Sequence, residues 1–137
     1  MSDPIGIEIR NLFKIFGPRG ADFIEALNQG MTKQELNDKH RRVLGLRDIN
    51  ISIPAGGIQV VMGLSGSGKS TLIRHINRLI EPTAGEILIE GEDVVKMSPA
   101  ALRAFRMHKT AMVFQKFALL PHRTVIDNVG YGLEIQG

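Results

Sequence analysis

The sequence predicts an α/β fold built around a glycine-rich loop, and three observations predict it. Ile49, Ile51 and Ile53 alternate with other residues and lead through Pro54-Ala55-Gly56-Gly57 into the apolar run Ile58 to Met62, a hairpin-like pair of strands. Gly63-Leu64-Ser65-Gly66-Ser67-Gly68-Lys69-Ser70 then fits the pattern G-x-x-x-x-G-K-[ST]. Leu72, Ile76, Leu79 and Ile80 keep the 3.6-residue period of an amphipathic helix as far as Glu81-Pro82, where proline disfavours helix in the residue before it. Strand, glycine-rich loop and helix, in that order, are the context in which the motif carries chemistry.

The remaining elements follow from the same local rules. Ile5, Ile7 and Ile9 alternate with Gly6, Glu8 and Arg10, a half-buried strand that runs into Leu12 and Phe13 and is broken by Gly17-Pro18. Phe23, Ile24 and Leu27 stand at helical spacing within residues 21–29, and Gly30 is placed to close that helix in the left-handed conformation. Thr32 and Glu35 form a capping box, with Met31 and Leu36 as its hydrophobic staple. The helix they open is expected to bury Leu36, Val43 and Leu44 and to present Lys33, Asp38, Lys39, Arg41 and Arg42 as a solvated face.

After the glycine-rich loop and its helix, Ile87 and Ile89 alternate with Leu88 in a strand over Gly85 to Glu90, and Gly91-Glu92-Asp93 reads as a turn before Val94 and Val95. Ser98-Pro99 is an N-cap and first-turn pair, opening a helix with Leu102 and Phe105 inward and Arg103 and Arg106 outward. Thr110 to Phe114 reads as a short buried strand ending at Gln115, and Thr124-Val-Ile-Asp-Asn128 as the start of another helix.

Composition sets outer limits. At 137 residues, 43% hydrophobic and 23% charged, the chain has the makings of one packed domain and not of two. Its net charge of +3 is a small excess, so nucleic acid is not implied as a partner. The absence of cysteine removes disulfides, thiolate metal sites and cysteine nucleophiles. The start, MSDPIGIEIR with Asp3, lacks the basic-then-apolar pattern of a secretory signal. No apolar run approaches the ~18 residues of a spanning helix, so a link to a membrane is expected to pass through a partner.

The chemistry of the loop follows from its residue types. Glycines allow a tight turn in which successive backbone N–H groups bind phosphate oxygens, and the following helix adds the positive end of its dipole. Lys69 brings a full charge to the β- and γ-phosphates, the Ser70 hydroxyl is a ligand for Mg²⁺, and Thr71 adds polar contacts near the α-phosphate. Gly63, Leu64, Ser65, Gly66, Ser67, Gly68, Lys69, Ser70 and Thr71 are thus the candidate nucleotide-binding residues. On its own the loop does not choose among kinases, GTPases, helicases and transporters.

The wider stretch GLSGSGKSTLIRHINRLIEPTAGEILIEGEDV, Gly63 to Val94, resembles ABC-transporter ATP-binding subunits, in which the helix after the loop leads into a strand beginning P-T-x-G-x-I; here that is Pro82 to Ile87. Met112-Val113-Phe114-Gln115-Lys116-Phe117, with Leu120-Pro121-His122-Arg123-Thr124-Val125 and Asp127-Asn128-Val129, resembles the family's Q-loop. The insert GPRGADFIEALNQGMTKQEL is similar to that of the glycine betaine/proline importers. The resemblance covers essentially the whole chain.

It implies an α/β, RecA-like P-loop NTPase core with the N-terminal antiparallel β subdomain of an ABC ATPase. Residues 1–137 would then be the N-terminal part of one ATP-binding domain, with a helical insert at about 18–45, the P-loop at 63–71 and the Q-loop around Gln115. By the same resemblance ATP and Mg²⁺ are the ligands, Gln115 contacts Mg²⁺ and the attacking water, and Ser70 is the other metal ligand. An aromatic residue after the first strand stacks on adenine in this family; Phe16 matches, with Phe13 the competitor. The implied partners are a transmembrane permease subunit engaged through the Q-loop, a second ATP-binding subunit and, indirectly, a solute-binding protein, with the subunit peripheral on the cytoplasmic side of the inner membrane.

The family's signature loop, Walker B strand and switch histidine are not found after Gln115; Asp93, His108 and His122 stand in the wrong order and context and read as surface or loop residues. The expectation is binding of ATP and Mg²⁺ without efficient hydrolysis by this chain alone, and an unpaired sheet edge with exposed apolar surface. The competing readings are a P-loop kinase or GTPase, and a nucleotide-binding module that does not hydrolyse.

Overall fold

The computed structural model describes residues 5–116 and 118–136; Asp3, and Phe117 from the flank of Gln115, lie outside them. The chain divides into two compact units, residues 1–96 and 97–137.

The first unit is an antiparallel sheet. Strands β1 (Ile5–Phe16), β2 (Val43–Pro54), β3 (Ala84–Ile89) and β4 (Glu92–Asp93) lie in the order β2-β1-β3-β4. The alternation along β1 changes phase at Asn11, which takes a left-handed φ of 47° where the register with β2 shifts between Ile9 and Leu12. Side chains hold this bulge: the Asn11 N–H donates to Asn50 Oδ1 at 2.8 Å, and Asn11 Nδ2 to Asp48 Oδ1 at 3.1 Å. The extra residue lets Ile9, Leu12, Phe13 and Ile15 all be buried, which a strict period of two forbids. On the other side, Gly85 has φ +106°, and a Cβ there would lie 2.5 Å from the Asn11 carbonyl oxygen, so only glycine lets β3 pass the bulge. The β3–β4 turn is made by Glu90 (φ 51°) and Gly91 (φ 83°), the pair of positive φ values that a tight hairpin requires. The expected Gly91-Glu92-Asp93 turn is therefore shifted back by one residue, because Glu92 and Asp93 pair with Ile89 and Leu88.

Between β1 and β2 sits the helical insert: a 3-10 turn at Gly20–Phe23, α1 (Ile24–Asn28) and α2 (Lys33–His40). Gly30, at φ +112°, ends α1 as expected, with the Met31 N–H donating to the Ala26 carbonyl at 2.9 Å and the Gly30 N–H to that of Leu27 at 3.2 Å. The Thr32–Glu35 capping box is present in both directions. Ile15, Leu27 and Leu36 form the insert's own core, with Phe23, Ile24, Met31 and Leu44 packed against it. Val43 and Leu44 were expected on α2 and are on β2 instead: Arg41 turns left-handed (φ 52°) and ends the helix, and Phe16 and Ile15 of β1 pair with these two residues.

Three further expectations are corrected in this unit and the next. Ile58 to Met62 form no strand; no strand partner for them exists among the described residues, and Ile58 is 96% and Met62 87% exposed. Apolar surface is exposed here as expected, but as a segment outside the sheet and not as an unpaired sheet edge. Helix α3 (Lys69–Ile76) stops four residues short of Ile80, because Arg78 adopts φ 53° and its guanidinium is held by Glu81 at 2.8 Å and the Val94 carbonyl at 3.2 Å.

In the second unit, α4 (Pro99–His108) is capped by Ser98, whose Oγ accepts from the Ala101 N–H at 3.2 Å, and it buries Leu102 and Phe105. The expected strand at Thr110 to Phe114 does not form, and Val113 is 97% exposed: a strand needs a neighbour, and none pairs with it among the described residues. The helix start at Thr124 is realised as α5 (Val125–Gln136), with the Asp127 N–H donating to Thr124 Oγ1 at 3.3 Å. Asn128 knits the preceding loop, donating from Nδ2 to the Thr124 and Leu120 carbonyls at 2.9 and 3.1 Å and accepting at Oδ1 from the Leu120 N–H at 2.8 Å.

Candidate functional site

The glycine-rich loop is shaped by two left-handed residues, Gly66 (φ 77°) and Gly68 (φ 99°), and by a turn in which the Ser67 N–H donates to the Leu64 carbonyl at 3.1 Å. Lys69 is the first residue of α3, and its ammonium folds back across the loop, donating to the Gly63 and Leu64 carbonyls at 2.8 and 2.7 Å. No acidic residue stands in the first turn of α3. A full positive charge and the positive end of a helix dipole therefore meet with no carboxylate beside them, an arrangement that an anion stabilises. Ser70 is exposed on the same turn, where its hydroxyl is free to reach a cation accompanying that anion. The residues present fit a Mg²⁺-bound phosphate chain.

Behind the loop, His75 is fully buried, and its Nδ1 bonds the Thr71 carbonyl at 2.7 Å. A carbonyl can only accept, so Nδ1 carries the proton. Burial holds the ring below the ordinary imidazole pKa of 6.5, more than the Thr71 bond raises it. A neutral His75 thus ties the second turn of α3 to the backbone at Thr71.

The sheet brings one more candidate to the loop. Phe13 is 5% exposed and packed in the core, whereas Phe16, at the end of β1, is 38% exposed. An edge of the Phe16 ring lies against Gly45 of β2, where an added Cβ would stand 2.6 Å from Cε2. Gly45 in turn meets the loop, its carbonyl oxygen 2.9 Å from the position of a Cβ on Gly68. One backbone segment therefore touches both the exposed aromatic ring and the last glycine of the loop. Neither Gly45 nor Lys14, which lies beside Phe16, was singled out in the sequence; a glycine opposite an aromatic becomes informative only when the strand register is known.

Gln115 belongs to the second unit, exposed in the bend between α4 and α5. His108 and His122 are exposed, as expected. Asp93 is not a surface residue: its side chain is 11% exposed and pairs with Lys96 at 3.2 Å. Among the described residues no cluster of three His, Cys, Asp or Glu side chains could hold a metal, and no helix is long and apolar enough to cross a membrane.

The glycine-rich loop at the start of α3 agrees with a comparison of sequences: the family model described as "ABC transporter" matches residues 46–136. The chain belongs to the ABC transporter family. Within that family it is 50% identical over 133 residues to the glycine betaine/proline betaine transport system ATP-binding protein ProV of Escherichia coli K12, a match covering 97% of this chain and 33% of ProV. It is 48% identical over 134 residues to the glycine betaine transport ATP-binding protein OpuAA of Bacillus subtilis 168, covering 98% of this chain and 32% of OpuAA. The chain thus spans about a third of the length of these curated relatives. Among solved structures, the dimeric bacterial ABC transporter cassette MJ0796 superposes with a TM-score of 0.75 at 27% identity, over 96% of this ABC family chain and 48% of the cassette. A second structure of MJ0796, in a post-hydrolysis state with ADP and Pi bound, matches with a TM-score of 0.74.

Proposed function

We propose that this chain is the nucleotide-binding part of the ATP-binding, energy-coupling subunit of an ABC importer for glycine betaine and proline-type osmolytes. The observation that carries the reading is the Lys69 ammonium drawn across a glycine loop at the acid-free N-terminus of α3. ATP is the ligand: its phosphates take the place of the Gly63 and Leu64 carbonyls at Lys69, Ser70 and Gln115 serve Mg²⁺, and the purine stacks on Phe16. Bound Mg²⁺ supplies charge neutralisation between the phosphates; the chain's own residues bind and orient them. Support for the osmolyte class is the identity to ProV and OpuAA across nearly the whole chain. The same likeness supports a transmembrane permease as partner through the Gln115 region, a second ATP-binding subunit, and a peripheral position on the cytoplasmic side of the membrane.

Equilibrium dialysis of the purified chain with radiolabelled ATP in the presence of Mg²⁺ tests this. Saturable binding to one site, displaced by inorganic tripolyphosphate, is the expected result. Absence of saturable binding overturns the reading.

A further inference from the structure

Lys14 stands on β1 two residues before Phe16, on the same face of the strand. Its ammonium lies 5.1 Å from the centroid of the Phe16 ring and donates to the Glu81 carbonyl at 2.6 Å. Glu81 is in the segment that leaves α3, and that segment is fastened to β1 around Lys14: the Thr83 N–H donates to the Phe13 carbonyl at 2.8 Å, and the Ile15 N–H to Thr83 Oγ1 at 2.9 Å. Lys14 is therefore no freely swinging surface lysine. A backbone carbonyl sets where its charge sits.

A cation within about 6 Å of an aromatic centroid is attracted by the negative face of the ring. Phe16 ends its strand and is followed by Gly17, so little else on β1 fixes its side-chain torsions. Gly45 supports one edge of the ring and Lys14 covers one face. We propose that Lys14 is a positioning residue of the base site: it holds the Phe16 ring by one face so that the other is presented to a purine. The Glu81 carbonyl anchors this arrangement to the helix that begins at the phosphate loop, so base and phosphate contacts are set by one connected frame. The inference rests on the reading of Phe16 as the base contact.

The test is titration calorimetry of the purified chain with ATP and, separately, with inorganic tripolyphosphate, which has the phosphates and no base. Lys14→Met, which keeps the aliphatic stem and removes the charge, is expected to weaken ATP binding about three- to fivefold, as an exposed cation–π contact of this kind is worth. Tripolyphosphate binding is expected to stay unchanged, which also shows that the variant is folded, and Lys14→Arg is expected to retain ATP affinity. In a Phe16→Ala background, Lys14→Met is expected to have no further effect. If Phe16→Ala weakens ATP binding and Lys14→Met does not, or if Lys14→Met weakens both ligands equally, the positioning role is overturned while the base contact stands. If Phe16→Ala itself leaves ATP affinity unchanged, the base contact falls and this inference falls with it.

Discussion

Gly68 and Gly45 meet backbone to backbone, so closely that a Cβ on Gly68 would stand 2.9 Å from the Gly45 carbonyl oxygen and 3.0 Å from Leu46 Cδ2. The last glycine of the glycine-rich loop is thus wedged against β2 at a φ of +99°. Both conditions exclude a side chain. Gly68→Ala is expected to cost about 1–3 kcal/mol of stability from the backbone alone and to abolish ATP binding, as the loop moves off the strand. Urea denaturation and dialysis against labelled ATP check the two effects.

Gly45→Ala separates the base from the phosphates. Its methyl group would stand 2.6 Å from Phe16 Cε2, so the ring must turn away, whereas the three atoms nearest that methyl all belong to Phe16 and Lys14 and none to the loop. ATP affinity is expected to fall about fivefold, the scale of one lost aromatic contact, with tripolyphosphate affinity preserved. Calorimetry with both ligands reads the difference.

Gly85→Ala should damage the fold and not the site directly. A Cβ there would lie 2.5, 2.7 and 2.7 Å from backbone atoms of Asn11, Arg10 and Leu12, none of which is the end of a flexible side chain. A loss of about 2–4 kcal/mol is expected, larger than for an ordinary surface change. The shift of the urea midpoint measures it.

Much of this was legible in the sequence wherever the determinant is local. The capping box at Thr32, the Gly30 stop and the Ser98-Pro99 start each need only neighbours within a few residues, and each forms as read. Strands at Ile58 to Met62 and Thr110 to Phe114 were misread for the opposite reason: apolar runs show propensity, but a strand exists only when a partner takes up its N–H and C=O groups. Val43 and Leu44 keep helical spacing from Leu36, yet the left-handed Arg41 and the pairing of β2 with β1 override it. The Asn11 bulge left no pattern to read, since its effect is to break one.

His75 gives the fold a pH dependence with a definite sign. Burial depresses its pKa below 6.5 in the folded chain, so the unfolded chain takes up a proton first as pH falls. The stability it contributes is complete above pH 6.5 and is lost as pH falls from there through the lowered folded value. The slope is at most about 1.4 kcal/mol per pH unit, the value for one proton. His75→Leu, which cannot take up a proton, is expected to flatten the curve of unfolding midpoint against pH between neutrality and mildly acid conditions.

The central claim is that Lys69 and the loop it crosses bind the phosphates of ATP, and Lys69→Ala tests it most directly by calorimetry with ATP and Mg²⁺. Removing a charge-assisted contact to phosphate is expected to weaken binding at least about tenfold, with the unfolding midpoint nearly unchanged because Lys69 is not part of the core. ATP binding of equal affinity in the wild type and in Lys69→Ala would contradict the account.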